Sequence, residues 1–404
     1  MSFSLDRSHS WFERATRVIP GGIYGHTSPA LAVPGSFPAY AAKGRGARYW
    51  DVDGNEYIDF LCGFGPVLLG HQNPEVEEAA DAARALGVCL NHPGTVMVEL
   101  AEAMVERVDF AEWAVFGKNG SDLTTWCLRV ARERTGRRMV LKARGAYHGM
   151  HAWCAPGHGG VIPEDTAQVA EFTWNSVEEL EAGFRRHKGR LAALILTPFH
   201  HPAFGDSELP SPEFVATVTR LCKEWETLLI LDDVRCGFRL SEAGSHGVFG
   251  FEPNLSVFSK GMGNGHPIAA AVGRTETKVA ASQVFLTGSF WNSQAPMAAA
   301  LKVMEIIRRD GVPAKLAAAG ERLVEGMLAR GRDHGVQLVA SGPPAMPYVR
   351  VSGDDSLRKT QGLYSKAAAR GVLFHPNHNW FLSTAHTDAE IDEALDRFTL
   401  ALED

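Results

Sequence analysis

Residues 228–274 read LLILDDVRCGFRLSEAGSHGVFGFEPNLSVFSKGMGNGHPIAAAVGR. Three short apolar runs, Leu228–Leu231, Leu255–Phe258 and Ile268–Val272, are each bounded by turn residues or charge, the pattern of buried strands. The first run ends in Asp232-Asp233 and the second in Ser259-Lys260. An acid and a lysine at the ends of neighbouring strands share the carboxyl edge of the sheet, where open α/β sheets place their ligands. Lysine forms Schiff bases when burial or a nearby cation depresses its pKa. Here it precedes Gly261-Met262-Gly263-Asn264-Gly265, where the backbone can approach a bulky ligand.

The order Asp232-Asp233-Val234-Arg235-Cys236-Gly237-Phe238-Arg239, then Phe258-Ser259-Lys260-Gly261-Met262-Gly263-Asn264-Gly265-His266-Pro267, resembles the core of class III, fold type I pyridoxal-phosphate aminotransferases, in their glutamate-1-semialdehyde aminomutase-like branch. The resemblance runs from Pro20-Gly21-Gly22 to Ala385-His386-Thr387. It implies a large α/β domain with a mostly parallel sheet and a smaller α+β domain built from both termini. The expected division is 1–65 for the N-terminal segment and part of the small domain, 66–305 for the cofactor domain and 306–404 for the rest of the small domain.

The rest of the chain fits a globular enzyme. Its 404 residues are 45% hydrophobic and 22% charged with a net charge of −7, which argues against a nucleic-acid binder. Six scattered cysteines without a Cys-x-x-Cys pair point to a reducing cytoplasm. Met1–Glu13 carries charge where a signal peptide needs an apolar run, and no run approaches the length of a membrane span.

Asn119-Gly120-Ser121-Asp122 follows the strand-like Trp113–Phe116 and precedes Leu123, Trp126, Cys127, Val130 and Ala131 at helical spacing. Ser121 or Asp122 is expected to cap this helix, whose N-terminus suits an anion. The resemblance assigns Gly120, Ser121 and Asp122 to the cofactor phosphate, with Asp122 in place of the usual Glu. It sets Tyr147 on the pyridine ring beside His148, with Val234 against the ring. Asp232 pairs with the ring nitrogen, and Lys260 forms the Schiff base and moves protons. The resemblance further implies that Ser289 reaches the phosphate of a neighbouring subunit, in a homodimer with a shared active site. Substrate candidates are Phe64, His201 and Arg235, with Arg239, His375, His378, Asn379 and Trp380 further out; Asp233 has no assigned role. Thr197-Pro198, where the family often has Glu-Pro, points to different substrate contacts.

The expected activity is transfer of an amino group from an amine or amino acid to an oxo acid or aldehyde. The same residues serve an aminomutase or an epimerase. A different chemistry, metal-dependent hydrolysis, could be built on His148, His151, Cys154 and His158, but their spacing matches no closed zinc pattern and the glycines around them read better as a lid.

Overall fold

A computed structural model describes residues 3–24, 28–157 and 159–403. In chain order the strands are β1 (Ala41–Arg45), β2 (Arg48–Asp51), β3 (Glu56–Asp59), β4 (Trp113–Gly117), β5 (Met139–Ala143), β6 (Val169–Phe172), β7 (Leu191–Leu196), β8 (Leu228–Asp232), β9 (Leu255–Phe258), β10 (Ala269–Gly273), β11 (Leu338–Ser341), β12 (Tyr348–Val351) and β13 (Val372–Leu373). The chain divides into two units, Pro74–His200 with Glu208–Pro313, and Met1–Asn73 with His201–Ser207 and Ala314–Asp404. These divisions differ from 65/66 and 305/306. The helix Gln294–Asp310 runs past the expected end of the cofactor domain, and the short His201–Ser207 excursion carries no mark in the sequence.

In the larger unit the sheet order is β4-β10-β9-β8-β7-β5-β6. Strands β5 to β9 pair in parallel, while β10 runs antiparallel to both β9 and β4. Strands β7, β8 and β10 are buried throughout, as parallel-type sheets covered on both faces require. Alternate residues serve opposite faces. Ala193, Ile195, Ile230 and Val257 join Leu123, Trp126, Cys127 and Val130 of the Gly120–Thr135 helix in one core. Leu194, Leu196, Leu229 and Leu231 pack on the other face with Leu180, Phe184, Phe214 and Val218. Each buried leucine, isoleucine, valine or phenylalanine among them contributes about 1.5–3 kcal/mol, which fixes the register and with it the face on which Asp232 emerges.

The smaller unit holds a β1-β2-β3-β13 sheet and the β11–β12 hairpin. Tyr364, Phe374 and Trp380 form its aromatic centre, with Phe374 and Trp380 rings 4.3 Å apart. Trp380–Leu382, although apolar, makes no regular ladder. Its N–H groups alternate between carbonyls of Pro347 and Ala345 on one side and Phe60 on the other.

Candidate active site

Strands β8 and β9 are parallel neighbours, so Asp232 and Lys260 leave the sheet at the same edge. Ser259 donates from Oγ to the Ile268 carbonyl at 2.7 Å and pins the turn. Lys260 has φ +48°, a left-handed conformation costing on the order of 1–3 kcal/mol in a non-glycine residue and kept only where the surroundings impose it. Its amine is pulled down to about 7, first by burial and then by the Arg235 guanidinium, with Asp232 opposing. Arg235 is itself lowered by burial.

Asp232 has the parity of Ile230 and faces the Gly120–Thr135 helix. Its Oδ2 lies 2.7 Å from His148 Nδ1, and Oδ1 accepts the Val234 N–H at 3.3 Å. Thr124 fixes His148 from behind, donating from Oγ1 to its carbonyl at 2.7 Å. Asp233 points to the opposite face and takes both the N–H and the hydroxyl of Ser245. Burial nevertheless pushes its carboxyl up to about 7. The role left open by the sequence is therefore bracing of the loop after β8, away from Lys260.

The start of the Gly120–Thr135 helix corrects the sequence reading. Asn119 is the N-cap residue, and the Asp122 carboxylate turns back to accept the Asn119 N–H at 3.0 Å. Asp122 is thus committed to shaping the helix start: its side chain takes the Asn119 N–H while its own N–H goes to the Asn119 carbonyl, with no bond to the Asn119 side chain. Gly120 lets the backbone approach β8's continuation, since a Cβ there would lie 2.6 Å from Val234 Cγ2. Gly149, at φ +128°, is packed so closely on Ser121 that a Cβ would collide with Oγ.

Lys118, one residue before the cap, carries no mark in the sequence, where a lysine after a strand is ordinarily a surface residue. Its Nζ is buried and has no hydrogen-bond partner among the described residues. Burial lowers its pKa. A half-buried side chain whose ammonium lacks a hydrogen-bond partner favours an anion at this position. Tyr147 is 46% exposed, and Ser289 lies on an exposed loop, where its carbonyl accepts the Cys89 thiol at 3.1 Å.

Phe64 and His201 belong to the smaller unit. The Phe64 ring stands edge-on to His375 at 5.7 Å and to His378 at 5.5 Å, and both histidines are buried, not solvated loop residues. Thr197 turns its hydroxyl onto the Phe199 carbonyl of its own loop. The histidine and cysteine cluster is dispersed by its partners: His148 goes to Asp232, and His151 Nδ1 to Thr125 Oγ1 at 2.7 Å. His158 lies outside the described residues. Among the described residues no three His, Cys, Asp or Glu side chains are grouped to hold a metal ion. The first part of the segment expected as a lid is hydrogen-bonded to the Gly120–Thr135 helix through the His148 carbonyl and the Trp153 indole.

A cleft of about 510 Å³ opens at the amino edge of the strands, but its arginines are already committed to backbone carbonyls. The carboxyl edge carries the chemistry. A tuned lysine, a buried carboxylate, a helix N-terminus and an unpaired ammonium together fit an aldehyde cofactor with a cationic ring nitrogen and a phosphate.

The sequence model of the family described as aminotransferase class-III matches residues 32–402. The chain belongs to that family. The aminotransferase is 43% identical over 384 residues to the aminopentol aminotransferase of Sphingopyxis macrogoltabida, covering 95% of this chain and 91% of that one. It is 36% identical to the 3-aminobutyryl-CoA aminotransferase of Cloacimonas acidaminovorans, covering 96% and 94%. Among solved structures, the pyridoxal-phosphate internal aldimine form of the Sphingopyxis sp. MTA144 FumI protein matches with a TM-score of 0.96 and 42% identity, covering 98% and 96%. The fold is therefore that of the pyridoxal-phosphate transaminases, and the aminotransferase is a pyridoxal-phosphate-dependent enzyme. No described helix is long and apolar enough to cross a membrane.

Proposed function

We propose that Lys260 carries the cofactor and that the enzyme removes the amino group of an amine whose amino-bearing carbon has no carboxylate, passing it to an oxo acid. The convergence of Lys260 with the Asp232–His148 pair at one sheet edge carries the assignment of the site. The substrate class is supported by the relatives acting on an aminopentol and on a 3-aminobutyryl thioester.

Bound pyridoxal phosphate supplies an electron sink conjugated to the substrate carbon. The chain's residues do the rest. Lys260 Nζ, with its pKa lowered to about 7, would accept the proton as the C–H bond of the nitrogen-bearing carbon breaks, the electron pair passing to the bound cofactor, and would hand that proton on to the cofactor side. Asp232 places a negative charge at the ring nitrogen, while His148 holds its Oδ2. Gly120, Ser121 and Lys118 hold the phosphate, Tyr147 and Val234 enclose the ring, and Arg235 receives the acceptor's carboxylate.

Ser289 lies between Phe285 and Phe290, which are 73% and 70% exposed, and these rings support a homodimer in which Ser289 serves the neighbouring site. All six cysteines are free, which supports a reducing cytoplasm.

Incubation of purified enzyme with candidate amines, with and without an oxo acid, tests the reaction. The expected result is carbonyl product formed in step with acceptor consumed. Isomerisation of an amino aldehyde without acceptor would make it an aminomutase, and solvent-proton exchange with inversion would make it an epimerase.

A further inference from the structure

We propose that Trp153 is a positioning residue for the reaction: its indole holds the His148 ring in the orientation that meets Asp232. This rests on the reading of Asp232 as the partner of the ring nitrogen.

A functional histidine is ordinarily oriented by a hydrogen bond at each ring nitrogen. His148 has one such bond, from Nδ1 to Asp232 at 2.7 Å, while Nε2 is buried and has no hydrogen-bond partner among the described residues. One bond leaves the tilt of the ring about the Nδ1–Oδ2 line unfixed. The second constraint is the face of Trp153, whose ring lies 6.2 Å from that of His148 at an interplanar angle of 13°. The indole is fixed in turn. Trp153 Nε1 donates to Thr125 Oγ1 at 2.8 Å, and the same hydroxyl lies 2.7 Å from His151 Nδ1. Trp153 also packs on the apolar core formed with the Gly120–Thr135 helix. Thr124 holds the backbone of His148 and Thr125 holds Trp153, so two consecutive helix residues set both rings. A carboxylate oriented in this way meets the ring nitrogen without reorganisation during the reaction.

The test compares Trp153→Ala, Trp153→Phe, Thr125→Val and Asp232→Asn. The His148 Nδ1–H resonance is read in cofactor-free protein labelled at histidine nitrogen and assigned by its loss in His148→Asn. In loaded enzyme, kcat, KM for the amine and the pH midpoint of the cofactor's visible absorbance are read. Trp153→Ala is expected to broaden or lose the Nδ1–H signal, to lower kcat about tenfold with KM nearly unchanged, and to move the absorbance midpoint. Trp153→Phe, which keeps an aromatic face, restores most of each, and Thr125→Val moves them in the same direction by less.

Retention of the signal, kcat and midpoint in Trp153→Ala would overturn the proposal. So would equal losses in Trp153→Ala and Trp153→Phe. If Trp153→Ala does not fold, Thr125→Val decides: a shifted signal and midpoint support the proposal, and unshifted ones overturn it. Asp232→Asn separates the underlying reading. An undiminished Asp232→Asn enzyme sinks the role of Asp232 itself, whereas a crippled one beside a normal Trp153→Ala enzyme sinks only the role of Trp153.

Discussion

The two sides of the candidate site are built differently. On the Asp232 side every group is braced within one chain: His148 is held by Thr124, Asp232 by His148 and Val234, and the neighbouring Asp233 by Ser245. On the Ser289 side the loop is exposed and carries Phe285, Ser289 and Phe290 at its surface. The difference separates what one chain preorganises, a fixed carboxylate that is proposed to meet the ring nitrogen, from what a second chain is proposed to complete, the phosphate end.

The sharpest way to break this contrast is Asp232→Asn. It keeps the shape but removes the charge, and a fall in kcat of roughly 10²-fold is expected with cofactor still bound; steady-state kinetics with a measured cofactor content would check it. A nearly normal kcat would mean that the braced side is scaffolding.

The pKa of Lys260 gives the next effect. Capture of pyridoxal phosphate by cofactor-free protein needs the neutral amine, whose fraction falls about tenfold per pH unit below its pKa. Because the folded pKa is lowered to about 7, the stopped-flow rate should climb through pH 6 and level off above 7. A rate still rising tenfold between pH 8 and 9 would indicate an ordinary lysine.

Ser289→Ala should weaken cofactor binding several-fold, the scale of one hydrogen bond to a charged group, with the Asp232-side spectrum unchanged. Cofactor titration followed by absorbance measures both. The smallest effect belongs to Asp233. Its folded pKa is raised to about 7, so its favourable contribution is complete at low pH and is lost as pH rises through 7. Asp233→Asn should therefore flatten the decline in melting temperature between pH 5 and 8 by a few degrees.

Much of the braced side was legible in residues 228–274, because strand alternation and strand order alone put Lys260 and Asp232 at one edge. The helix after Asn119 was legible from its apolar spacing. Three features were not. The helix begins one residue earlier than its polar residues suggest, with Asn119 at the N-cap position and Asp122 turned back onto its N–H, a choice between adjacent polar residues that depends on backbone angles. Lys118 became notable only when its ammonium proved buried, which no local pattern records. The histidine cluster resembled metal ligands because sequence gives residue types; their partners, Asp232 and Thr125, come from other segments of the chain.

The most direct test of the central claim is borohydride reduction of the loaded enzyme followed by peptide mass mapping, beside Lys260→Ala. The reduced cofactor mass should appear on the peptide containing Lys260 and on no other, with none retained by Lys260→Ala. Stoichiometric attachment at another lysine, Lys118 included, or unchanged labelling of Lys260→Ala, would contradict the assignment.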